Sequence, residues 1–211
     1  MSYVSEHHKL VAETLKKNFS RRGMDAYYCE TAEEAKSQIL STIPEGASVT
    51  WGGTESMNEA GVCQAIEDGN YEFIDRKNAA TPEEARALYG KIVCADYFLT
   101  STNAFTKAGE LVNIDGASNR VACIAHGPEH VIVLASMNKL CDNVEDAIRR
   151  VRTLAAPPNA LRVHASTPCA KTGMCADCVS PDCICCQILV TRFSRKPGRI
   201  SVVLCGEELG F

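Results

Sequence analysis

The sequence predicts an α/β protein, a mostly parallel sheet with helices packed on its faces. Helix-like and strand-like stretches alternate through the first half of the chain, the pattern of a parallel sheet with crossover helices. Several helices carry capping residues at their starts. The 211 residues are 45% apolar, enough for a sizeable core. A single domain over 1–211 is expected, with a Cys-rich loop over 166–186 inserted before the last strands.

The elements follow in order. His7 to Arg22 is a helix, with Val11, Leu15 and Phe19 on one face and Gly23 as its stop. Met24 to Cys29 is a strand. Thr31 and Glu34 form a capping box for a helix carrying Ala35, Ile39 and Ile43. Ser48 to Trp51 is a strand, and Ser56 with Glu59 caps a helix to Asp68. Tyr71 to Asp75 is a strand, and Thr81 opens a helix with Pro82 at its first position, running to Val93. Tyr97 to Ser101 is again a strand. Leu111 to Ile114, Val121 to Ala125 and Val131 to Ala135 read as a meander of three strands. Asn143 starts a helix that Pro157 and Pro158 stop. Gln187 to Arg192 and Ile200 to Leu204 close the chain as two strands around a turn at Arg195 to Gly198.

Charge excludes some functions. Lys and Arg number 22 against 26 Asp and Glu, a net charge of −4, so no basic surface for nucleic acid is expected. No apolar run approaches the roughly 20 residues of a membrane span. The N-terminal residues lack a charged-then-apolar leader pattern, which makes the cytoplasm the expected compartment. Thiols stay reduced there, so clustered cysteines point to metal ligation or redox exchange before disulfides.

Six of the twelve cysteines fall between Cys169 and Cys186. The favoured ligand set is Cys169, Cys175, Cys178 and Cys185, four soft donors that suit a [4Fe–4S] cluster or, alternatively, zinc. The compressed spacing leans towards iron–sulfur, because structural zinc sites usually come as two separated cysteine pairs. Cys183 and Cys186 are surplus thiols.

Polar residues cluster just past strand ends, where open α/β sheets bind ligands. Gly52, Gly53 and Thr54 follow one strand and suit close approach of an anion to backbone. Ser101 and Asn103 follow another and could orient a ligand. Asn113, Asp115 and Arg120 fall within eight residues, with Asp115 the candidate acid or base and Arg120 the candidate carboxylate partner. Asp75 and Arg76 read as an internal ion pair. No nucleotide, nicotinamide or flavin motif is present.

These stretches resemble the lactate-utilisation (LUD) domain family. The resemblance is carried by T-W-G-G-T-E-S-M-N-E-A-G at 50–61, Y-E-F-I-D-R at 71–76 and A-D-Y-F-L-T-S-T-N-A at 95–104. It continues in G-E-L-V-N-I-D-G-A-S-N-R-V at 109–121, V-I-V-L-A-S-M-N-K at 131–139 and the cysteine tail. It implies a three-layer sandwich similar to the sugar-phosphate isomerase and CoA-transferase group. It also implies an iron–sulfur system that oxidises lactate to pyruvate. The branch with this tail is expected to carry arginine and asparagine where Cys183 and Cys186 stand. The expected partners are a small anionic metabolite, an iron–sulfur or dehydrogenase protein, or a second copy of the chain. The alternatives are a non-catalytic electron-transfer subunit and a zinc-stabilised isomerase- or transferase-like enzyme.

Overall fold

Seven consecutive residues, His130–Ser136, form the strand at the middle of the sheet, and six of them are buried. A strand covered on both faces reads as an unbroken apolar run, and Val131 to Ala135 is one. The computed structural model describes residues 2–211.

In chain order the elements begin α1 (Tyr3–Arg21), β1 (Asp25–Cys29), α2 (Ala32–Thr42), β2 (Ser48–Trp51), α3 (Glu55–Glu59), α4 (Val62–Asp68) and β3 (Glu72–Phe73). There follow α5 (Pro82–Val93), β4 (Tyr97–Ser101), β5 (Ala104–Thr106), β6 (Leu111–Asp115), α6 (Asn119–His126), β7 (His130–Ser136) and β8 (Leu140–Cys141). The last are α7 (Val144–Arg150), α8 (Ala156–Arg162), α9 (Pro168–Thr172), β9 (Gln187–Thr191) and β10 (Ile200–Cys205).

Six strands form one sheet in the order β1-β10-β7-β4-β2-β3, all parallel. Alternate residues of β7 serve opposite faces. Val131, Val133 and Ala135 pack with Ala12, Leu15 and Phe19 of α1 and Ile124 of α6. Ile132 and Leu134 pack with Ile39 of α2, Met57 of α3 and Ile66 of α4. The result is three layers, helix, sheet, helix, as the alternation predicts. A smaller sheet, β8-β5-β6-β9, stands beside it and is covered by Ala147 of α7 and by Val151 and Ala155.

Five local expectations need correcting. Val121 to Ala125 is not a strand but the body of α6, so the meander is a strand–helix–strand unit. A short apolar run does not reveal its own period. The helix is started by Asp115, whose carboxylate accepts from the Arg120 and Val121 N–H groups at 3.0 and 3.1 Å. Ser56 caps nothing: Thr54 is the N-cap of α3, and Gly61, at φ 71°, separates α3 from α4. Tyr71 to Asp75 pairs only over Glu72–Phe73. Pro157 and Pro158 do not end their helix. A π turn, Val151–Ala155, joins α7 to α8, and the prolines sit in the first turn of α8 where missing N–H groups cost least. Finally, β9 and β10 enter different sheets: β9 pairs antiparallel with β6, while β10 lies between β1 and β7.

Candidate functional site

The C-terminal ends of β2, β4 and β7 lie side by side, and a cavity of about 310 Å³ opens above them. Its lining includes Gly53, Thr54, Ser56, Ser101, Asn103, Asp115, Arg120, Lys139, Arg162 and Ile184. The residues expected at three strand ends are therefore brought to one place, with two exceptions. Gly52 faces a neighbouring cavity, and Asn113 is buried beneath the site.

Arg120 organises the wall. Its guanidinium donates to the side-chain oxygens of Asn113 (2.7 Å) and Asn103 (2.9 Å) and to the carbonyl of Ile114 (2.7 Å). Asn103 Oδ1 also accepts from the Ile114 N–H at 3.0 Å. The two amides thus act on Arg120, which makes it a fixed positive charge in the wall. Burial pushes its pKa down, and Asp115 opposes that shift. Gly52 gives the arginine stem room, since a Cβ there would stand 2.9 Å from Arg120 Cγ. One oxygen of Asp115 is held by the α6 N–H groups described above.

At the floor is Lys139, on the turn after β7 and only 3% exposed. Its Nζ donates to Ser56 Oγ at 2.7 Å and Ser101 Oγ at 3.1 Å. Each serine hydroxyl has a carbonyl to donate to, Ser56 that of Leu209 (3.0 Å) and Ser101 that of Thr102 (3.1 Å), and the two hydroxyls also lie 3.3 Å apart. Burial, then the charge of Arg150, pushes the lysine pKa down to about 7, with Arg120 adding to the effect and Glu59 opposing it. Among the described residues Lys139 makes no ion pair. Nor does Arg76 pair with Asp75, whose carboxylate instead accepts from the Lys77 N–H. Arg76 and Arg162 flank Gly53, where a Cβ would stand 3.6 and 3.4 Å from their Nη2 atoms. Arg162 pairs with Glu55 at 3.4 Å. Since α3 has five residues, the positive character comes from side chains and not from a helix end.

Lys139, Ser56, Arg76 and Arg162 escape the sequence reading as site residues. One signal could have found Lys139: it closes an apolar strand run, the same strand-end position that marks Ser101 and Gly53.

The cysteine segment borders this cavity. Ile184 lines it, and a Cβ at Gly116 would stand 3.0 Å from Ile184 Cα. The Cys186 N–H donates to the Asp115 carbonyl at 3.0 Å. Cys185 packs against the core under α7, and burial, with the charges of Cys183, Cys175 and Cys169, pushes its thiol up to about 12. Cys178 sits instead with Ser180, whose N–H and hydroxyl lower its pKa. The donors are chemically suited to a soft metal or cluster. In their present arrangement they do not form a ligand set: among the described residues no three His, Cys, Asp or Glu side chains are grouped to hold a metal ion. No disulfide is formed among the described residues.

A family model for the LUD domain matches residues 12–205. The chain belongs to the LUD domain family. Among solved structures, a DUF162 family protein from Deinococcus radiodurans shares the fold of this LUD domain, with a TM-score of 0.57 at 10% identity. That match covers 93% of this chain and 97% of the other. Ribose 5 phosphate isomerase A from Neisseria gonorrhoeae is a partial match, with a TM-score of 0.32 at 12% identity over 54% of this chain and 56% of that one. So is eIF2B delta from Chaetomium thermophilum, with a TM-score of 0.36 at 16% identity over 54% and 49%. No curated protein matches the chain in sequence. Among the described residues no helix is long and apolar enough to cross a membrane.

Proposed function

We propose that this LUD domain binds a small anionic metabolite in the strand-end cavity, with Lys139 at the floor as its charge partner. One observation carries the reading: Lys139 is a buried amine with two serine oxygens and, among the described residues, no countercharge in contact. An isolated buried ammonium is costly, and an anion supplies what it lacks. Arg76 and Arg162 at Gly53, with Arg120 fixed in the wall, bias the whole cavity towards negative ligands. Lactate or a related 2-hydroxy acid, the class the family resemblance suggests, suits the chemistry. Its carboxylate would face Lys139 and its hydroxyl the Ser101 side.

The thiols of Cys169, Cys175, Cys178 and Cys185 are the donors we assign to a [4Fe–4S] cluster, with zinc as the alternative. A cluster would supply one-electron chemistry beside the cavity. The chain's own residues bind and orient the anion and hold a proton at Lys139 Nζ without it.

The test uses Trp51, the chain's single tryptophan, which lines the adjoining cavity next to Gly53. Titration with lactate, 2-hydroxybutyrate and inorganic phosphate should perturb its fluorescence in a saturable way, and Lys139→Met should weaken the effect at least tenfold. Equal response in the variant would contradict the reading.

A further inference from the structure

We propose that Lys139 is a nucleophile, whose amine condenses with a short aldehyde or ketone bearing a carboxylate or phosphate to form a Schiff base. This rests on the anion-binding reading of the same cavity and adds a covalent step to it.

The hydrogen-bond directions carry the argument. Ser56 and Ser101 have the Leu209 and Thr102 carbonyls, or each other at 3.3 Å, to take their hydrogens, and in either arrangement each keeps an oxygen lone pair for Nζ. Two acceptors match the two N–H bonds of a neutral amine. The remaining tetrahedral position of that amine is its lone pair. In an ammonium ion the same position is a third N–H for which the described residues supply no acceptor. The floor therefore accommodates the uncharged, nucleophilic form as well as the ammonium that meets an anion, at the edge of the same cavity. Room above Nζ depends on Gly210, where a Cβ would stand 3.3 Å from Nζ and 2.6 Å from Ser56 Oγ. The charged groups that act on Nζ from neighbouring elements are Arg150 on α7, Arg120 on α6 and Glu59 on α3. With burial they leave the amine half neutral near pH 7.

The step balances without an oxidant. The nitrogen lone pair attacks the carbonyl carbon, a C–N bond forms, and the C=O π pair moves to oxygen, which takes a proton from solvent in the open cavity. The nitrogen gives up one of its two N–H protons, which passes to that oxygen, and the oxygen leaves as water while the freed nitrogen pair closes a C=N bond. Overall, amine, carbonyl compound and one proton give a protonated imine and water.

The experiment incubates the full chain with pyruvate, or separately with glycolaldehyde phosphate, and reduces any imine with cyanoborohydride. Peptide mass spectrometry locates the adduct, and calorimetry measures binding of each compound in parallel. The expected result is an adduct on Lys139 at least tenfold above any other lysine, formed about tenfold faster at pH 8 than at pH 6. Whichever arm reacts identifies the anionic group. Binding without an adduct at Lys139 overturns the nucleophile and leaves the anion site standing. Adducts spread evenly over surface lysines overturn it as well. Absence of binding by both compounds, and by lactate and phosphate, overturns both.

Discussion

The strand-end cavity and the cysteine segment lie against each other yet are held in different ways. The cavity is fixed by buried polar contacts from distant parts of the chain: Arg120 to Asn103 and Asn113, Lys139 to Ser56, and Ser56 to Leu209. The cysteine segment is held mostly by contacts within itself, such as Cys183 Sγ to the Cys178 carbonyl and Cys186 Sγ to the Cys183 carbonyl. Its links to the body include the Cys186 N–H on Asp115, the Arg152–Asp177 pair at 3.0 Å, Ile184 against Gly116 and Cys185 packed under α7. The density of cysteine is visible in the sequence itself, whereas the burial of a charged side chain such as Lys139 is visible only in the fold.

The sharpest way to break this contrast is Arg120→Met. It leaves the Asn103 and Asn113 oxygens and the Ile114 carbonyl short of a donor in a buried wall, and should cost about 2–4 kcal/mol in urea unfolding. Cys185→Ser should cost less than about 1 kcal/mol while abolishing any retained iron and sulfide in anaerobically purified protein. If the cysteine variant were the more destabilised of the two, the ranking of the regions would be reversed.

Next comes Gly210→Ala. The new Cβ meets Ser56 Oγ at 2.6 Å and the backbone sits at φ 62°, so a loss of about 1–3 kcal/mol is expected by thermal unfolding.

The pH dependence of stability separates the regions more finely. Lys139 has a folded pKa of about 7, below its ordinary value of 10.5. Between those values the unfolded chain binds more protons than the folded one, so stability rises with pH across that window, and the penalty is complete below it. Lys139→Met should flatten this rise, as read from the denaturation midpoint between pH 7 and 10. The smallest effect is expected for Arg152→Ala. It removes a partly exposed ion pair to Asp177 on the cysteine segment and should change stability by about 0.2–1 kcal/mol.

Much of the fold is legible in the sequence because its signals are local. Thr81 opens α5 with Pro82 in its first turn, as the residue order predicts, and the parallel strands announce themselves as apolar runs. What the sequence hides depends on partners far along the chain. The cap of α6 comes from Asp115 across an intervening turn. The burial of Lys139 is created by Ser56, Ser101 and the segment around Leu209, so no motif surrounds the lysine itself. The strand-end positions of Gly53, Ser101, Asn103, Asp115 and Arg120 could be read because strands predict their own ends. That Arg120 would be bound by the two amides beside it could not, since only the fold turns them towards one another.

The central claim is that Lys139 meets an anion, and calorimetry of lactate binding at pH 8 in two buffers of different ionisation heat tests it most directly. A bound anion restores the charged form of an amine that is mostly neutral at that pH, so binding should take up close to one proton, and Lys139→Met should abolish that uptake. Binding with no proton uptake, or uptake that persists in Lys139→Met, would contradict the account.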